Sequence, residues 1–98
     1  IATMQYMAAK LIVHAKEIRD DGTIVEIVVW QLDAPLAPCL HRYKYRLFFG
    51  SAQNHWVRYD NERGKGDHRH IEGREETYVF SSIEQLLDDF QSDVENWK

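Results

Sequence analysis

Two histidines one residue apart, His68 and His70, close a segment that concentrates most of the chain's reactive side chains. Residues 58–70 read R-Y-D-N-E-R-G-K-G-D-H-R-H and hold two glycines, four cations, three carboxylates and both imidazoles. Side chains alternate along an extended backbone, so His68 and His70 would share one face and Arg69 would point the other way. Histidine is the side chain that titrates near neutrality. Metal-independent RNA cleavage needs a base for the 2′-hydroxyl, an acid for the leaving oxygen, and cations for the charge that builds on phosphorus. His68 and His70 suit the first two roles. Arg63, Lys65 and Arg69 suit the third, and Tyr59 adds a hydrogen-bond donor. Gly64 and Gly66 flank Lys65 and would let backbone amides approach an anion. The P-loop pattern of glycines followed by Lys and Ser or Thr is absent.

The same residues support other readings. His68 and His70 with Asp60, Glu62 or Asp67 have the types of a divalent-metal site with open positions. Carboxylates interleaved with cations also form ion pairs that do no more than order a loop. Asp60 and Asn61 would then make turn hydrogen bonds, with the histidines exposed. The remaining histidines, His14, His41 and His55, stand alone in sequence and read as structural. Cys39, beside Pro38, has no evident base partner.

A second feature precedes the segment. In residues 41–50, Arg42, Lys44 and Arg46 alternate with Tyr43, Tyr45 and Leu47. On a strand the three cations would share a face at about 7 Å spacing, fit to track a phosphate backbone. Arg58 adds a fourth cation of this class. The alternative is a solvated face over a buried tyrosine side.

The elements that must position these groups follow from pattern. Residues 8–19 alternate loosely and predict a strand. Asp20, Asp21 and Gly22 predict a hairpin turn. Residues 23–32 are rich in β-branched residues and apolar on both faces, as a central or covered strand is. Pro35 and Pro38 mark residues 33–40 as a loop. Strands are expected at 41–50, 55–59 and 76–80. Residues 61–73 read as a long loop, with a short strand near 68–71. Ser81 and Glu84 fit a capping box. Ile83, Leu86, Leu87, Phe90, Val94 and Trp97 then make one helical stripe from residue 82 to about 97. The expected class is α+β: an antiparallel meander of about four to five strands with one C-terminal helix on one face.

Ninety-eight residues support one core, hence one domain spanning residues 1–98. Residues 1–6 read as an N-terminal extension ahead of Met7, without signal-peptide features. No apolar run approaches membrane-spanning length, and the single Cys39 fits a reducing compartment. The formal net charge of −4 argues against indiscriminate nucleic-acid binding. Its distribution is more telling. Residues 41–74 carry eight cations against four acids, whereas residues 75–98 carry seven acids against Lys98.

Taken together, residues 41–46 (H-R-Y-K-Y-R), 58–70, 73–76 (G-R-E-E) and 78–90 (Y-V-F-S-S-I-E-Q-L-L-D-D-F) resemble the TumE family, over roughly residues 7–97. The resemblance implies a toxin of a type II toxin–antitoxin system in a bacterial or archaeal cytoplasm. It implies a cognate helix-turn-helix antitoxin as partner. Ribonuclease activity is the usual expectation for small toxins of this kind. No catalytic residue set comes with the resemblance, so the site assignment rests on the residues themselves. The expectation is a metal-independent ribonuclease with no cofactor. Its alternatives are a non-catalytic RNA- or ribosome-binding module and a metal-dependent nuclease, and a homodimer is left open.

Overall fold

The computed structural model describes residues 8–97. The proposed extension, residues 1–6, lies outside them. Six strands form one antiparallel sheet in sequence order: β1 (Ala9–Ile18), β2 (Ile24–Leu32), β3 (Tyr43–Gly50), β4 (His55–Glu62), β5 (Gly66–Ile71) and β6 (Arg74–Thr77). One helix, α1 (Ile83–Glu95), follows. The class is the α+β expected, with six strands rather than four to five.

The extra strand comes from the segment read as a long loop. Residues 61–73 are instead mostly hairpin. β4 runs on to Glu62, turns at Arg63, Gly64 and Lys65, and returns as β5 with Glu62 opposite Gly66. Gly64 and Gly66 both take positive φ, near 85°, which glycine adopts without a Cβ clash. A second tight turn at Glu72 and Gly73, both at positive φ, leads into β6. The last strand therefore begins at Arg74 and ends at Thr77, not at residue 80. Tyr78 leaves the sheet and buries itself, its hydroxyl donating to Asp89 of α1 at 2.6 Å.

Alternation decides which face each side chain takes. Val29 of β2, Tyr45, Leu47 and Phe49 of β3, and Val57 and Tyr59 of β4 are buried on one face. Leu86, Phe90 and Val94 of α1 pack on them and complete the core. Ser82 caps the helix, its Oγ accepting from the Gln85 amide at 3.0 Å. The cap thus falls one residue after the expected Ser81. Trp97, just past the helix, stacks on Trp56 at 5.6 Å. Tyr59, Arg69 and Asp93 tie α1 down further: Arg69 donates to the Tyr59 hydroxyl at 2.9 Å and to Asp93 at 3.3 Å, and Tyr59 donates to Asp93. Among the described residues no helix packs on the opposite face, and none is long and apolar enough to cross a membrane.

Candidate functional site

The pairing register lines up side chains in rows across the face that α1 leaves uncovered. One row runs His14, Val28, Arg46, Asp60, His68 and Thr77 from β1 to β6. The next runs Lys16, Glu26, Phe48, Arg58, His70 and Glu75. Arg58, Asp60, His68, His70 and Glu75 thus meet over β4, β5 and β6, although 17 positions separate the first from the last.

The two imidazoles lie edge to face, with centroids 5.5 Å apart. Their hydrogen-bond settings differ. The Nδ1 of His68 faces the Gly66 carbonyl at 3.2 Å. A carbonyl only accepts, so Nδ1 carries a hydrogen. Its Nε2 lies 2.6 Å from Asp60 Oδ1, yet off the axis of a good hydrogen bond, and that oxygen has no aligned donor. Two lone-pair atoms do not sit so close unless a proton or another cation lies between them. His70 is the reverse case. A guanidinium nitrogen of Arg58 donates to its Nε2 at 2.9 Å, so that nitrogen is an acceptor and the ring is neutral. Burial first, and Arg58 second, hold the His70 pKa below its ordinary value.

Glu75 completes the group. One carboxylate oxygen takes the Lys65 ammonium and lies 3.8 Å from the Nε2 of both His68 and His70. The Lys65 contact pulls the Glu75 pKa down and the Lys65 pKa up. A single anionic oxygen therefore pairs with one ammonium and has two imidazole nitrogens nearby. His68 is only 4% exposed, but it lines a hollow of about 270 Å³ with Lys65, Glu75 and Thr77.

Other candidates fall elsewhere. Arg63 is exposed in the β4–β5 turn. Tyr59 and Arg69 are on the far face, engaged with Asp93 and, for Arg69, Glu76. Burial and then Asp93 push the Tyr59 hydroxyl pKa well up. Of the basic stripe, Arg46 is exposed beside Asp60, and Lys44 donates to the Asn61 carbonyl. Arg42 is exposed just ahead of β3. Glu62 is exposed at the hairpin end.

Asn61 is wholly buried rather than in a turn. Its amide accepts from the Tyr45 N–H and donates to the Tyr43 carbonyl, continuing the β3–β4 ladder where the strands part. Asp60 and Glu75 are the partners that linear reading left without a firm place. Cross-strand pairing of Arg58 with His70 and Asp60 with His68 was the signal, once the segment was recognised as a hairpin.

Three ligand-type residues also meet in a second place: Cys39, His41 and Asp67. Here the Tyr43 amide donates to Nδ1 of His41, which puts the ring hydrogen on Nε2, where it points to Asp67 at 2.8 Å. That nitrogen has no lone pair for a metal. Burial and then Asp67 raise the Cys39 pKa, the opposite of an activated thiol. Tyr45 donates to the same carboxylate at 2.7 Å. This cluster fastens the 33–42 connection to β5. At the His68 cluster, by contrast, the ligand atoms of Asp60, His68 and His70 lie within 4.8 Å of one another, and the Gly66 carbonyl holds the Nδ1 of His68, as backbone carbonyls commonly orient metal-binding imidazoles.

The family model described as Toxin TumE matches residues 8–98. The chain belongs to the TumE toxin family. The TumE match covers every strand and the helix, and with them both histidines. It makes the chain a toxin of a toxin–antitoxin system and implies an antitoxin partner. No curated protein and no solved structure matches the chain.

Proposed function

We propose that this toxin cleaves RNA without a metal, at the cluster of Arg58, Lys65, His68 and His70, with a helix-turn-helix antitoxin as its partner. The observation that carries the reading is the Glu75 oxygen paired with Lys65, with the Nε2 of His68 and of His70 each 3.8 Å away. A phosphate oxygen has the charge and size to take that place.

The unequal hydrogen bonding of the two rings supports unequal roles. His70 is the neutral ring and serves as base, taking the 2′-hydroxyl proton on Nε2 once Arg58 turns from it to the phosphate. The 2′-oxygen attacks phosphorus. Arg58 and Lys65 balance the charge of the phosphorane. His68, holding a proton against Asp60, gives it to the departing 5′-oxygen. The products are a 2′,3′-cyclic phosphate and a 5′-hydroxyl. Tyr59 and Arg69, on the other face, act on this chemistry only by holding the sheet to α1. Arg46 and Lys44, with Arg42 beyond the strand, suit contacts to the phosphates on either side.

Expression in bacteria tests the reading. Growth arrest with RNA decay is expected, and a His68→Ala/His70→Ala variant that stays fully toxic removes the mechanism. A metal-dependent nuclease is the second reading, favoured by the compact Asp60, His68 and His70 set. The guanidinium bonded to His70 weighs against it, since a metal there would displace Arg58 or meet its charge. Cleavage abolished by chelator and restored by a divalent ion would establish that reading instead.

A further inference from the structure

The uncovered face carries two aromatic side chains on the strands beyond the histidine pair. Phe48 of β3 stands next to Arg58 in the row that ends at His70 and Glu75. Trp30 of β2 pairs with Lys44, and its neighbour on the same face, Val28, pairs with Arg46. Both rings are partly exposed, and Phe48 holds the His55 ring edge-on at 5.1 Å. Trp30 and Phe48 contribute nothing to the buried core on the far side. Arg46, between them, is exposed and forms no ion pair among the described residues. Aromatic rings interleaved with cations on an open sheet face are the elements of a single-strand stacking platform: bases stack on rings while cations follow phosphates.

We infer that this face binds single-stranded RNA leading away from the cleavage site, with Phe48 and Trp30 as two base platforms and Arg46, between them, as a phosphate ligand. The inference rests on the proposed RNA cleavage and names the form of its substrate. Neighbouring strands are about 4.8 Å apart and residues rise about 3.4 Å along each, so Phe48 lies roughly 10 Å from His70, and Trp30, four positions off that row on the next strand, lies roughly 14 Å from Phe48. Those spans suit an extended single strand of a few nucleotides running diagonally from β5 to β2. A duplex keeps its base faces stacked and cannot offer them to rings on a sheet. The exposed Arg46 favours a polyanion, and the phosphodiester chemistry proposed beside the platform favours RNA over an acidic-faced protein or peptide. The acidic helix α1 lies on the other face and does not cover these rings.

The test uses Trp30 as its own reporter. Trp56 and Trp97 stack on each other on the helix side, so a Trp56→Phe/Trp97→Phe variant leaves Trp30 as the sole tryptophan. A 2′-O-methyl single-stranded oligonucleotide, which cannot be cleaved, should quench its emission saturably, and the same oligonucleotide in a duplex should not. Filter binding with Trp30→Ala and Phe48→Ala, made in the native tryptophan background, gives a second readout independent of that variant's folding. Each should weaken binding roughly tenfold or more. Quenching without any RNA cleavage would remove the nuclease reading and leave the platform standing. Cleavage with native affinity in both alanine variants would overturn the platform and leave the nuclease. Emission that shifts with protein concentration alone, with a dimer in sedimentation, would assign the face to a second copy of the chain and also overturn it.

Discussion

His68 and His70 are the same residue type two positions apart, and their neighbours give them different hydrogen-bond settings. His70 accepts from Arg58 and is partly buried, which lowers its pKa. A base works when unprotonated, so the rate should fall only as pH drops through a value below the ordinary 6.5 of histidine. Arg58→Gln removes the smaller of the two main causes. The acid limb of the pH–rate profile should then move up toward 6.5 without reaching it, since burial remains. A limb that stays in place would separate His70 from the rate. Glu75 gives a second test at this scale. Its carboxylate sits where the phosphate is proposed to bind. Glu75→Gln removes a competing anion and should lower KM for RNA with kcat little changed. A large loss of kcat would instead make Glu75 the base.

At the scale of elements, the site depends on the β4–β5 hairpin and on the hold of α1 over the other face. Tyr59, Arg69 and Asp93 are part of that hold. Tyr59→Phe removes a buried hydroxyl bonded to a carboxylate and a guanidinium, and should destabilise the fold by about 1–2 kcal/mol. Thermal unfolding should report a drop of several degrees. RNA cleavage by the folded protein should be nearly unchanged. A loss of kcat at full stability would return Tyr59 to the reacting groups. The helix was legible from its period, and β1 to β3 from β-branched and aromatic residues bounded by Gly22 and the prolines. The hairpin was not legible, and residue chemistry explains why. Asp67 and Arg69 on one face and His68 and His70 on the other are all polar, so β5 shows no alternation of apolar and polar residues to read. The glycines that close its turns look the same, in sequence, as glycines in a loop. The two histidines were found by type and spacing alone. Arg58, Asp60 and Glu75 fell into place around them only through register, which the chain does not state linearly.

The whole molecule divides its work between the two faces of one sheet. One face is closed by α1, two of whose acids, Asp93 and Asp89, are bonded to Tyr59, Arg69 and Tyr78. The other holds the histidines, Arg46, Arg58, Phe48 and Trp30 in register. The chain can therefore be acidic overall, at −4, and still present cations where RNA is proposed to bind. The charge asymmetry along the sequence becomes, on folding, partly an asymmetry between faces. The most direct test is the chemistry of the RNA ends left by the purified toxin in excess chelator. The account predicts 2′,3′-cyclic phosphate and 5′-hydroxyl ends, lost in the His68→Ala/His70→Ala variant. Ends of 5′-phosphate and 3′-hydroxyl, or cleavage that survives removal of both imidazoles, would contradict it.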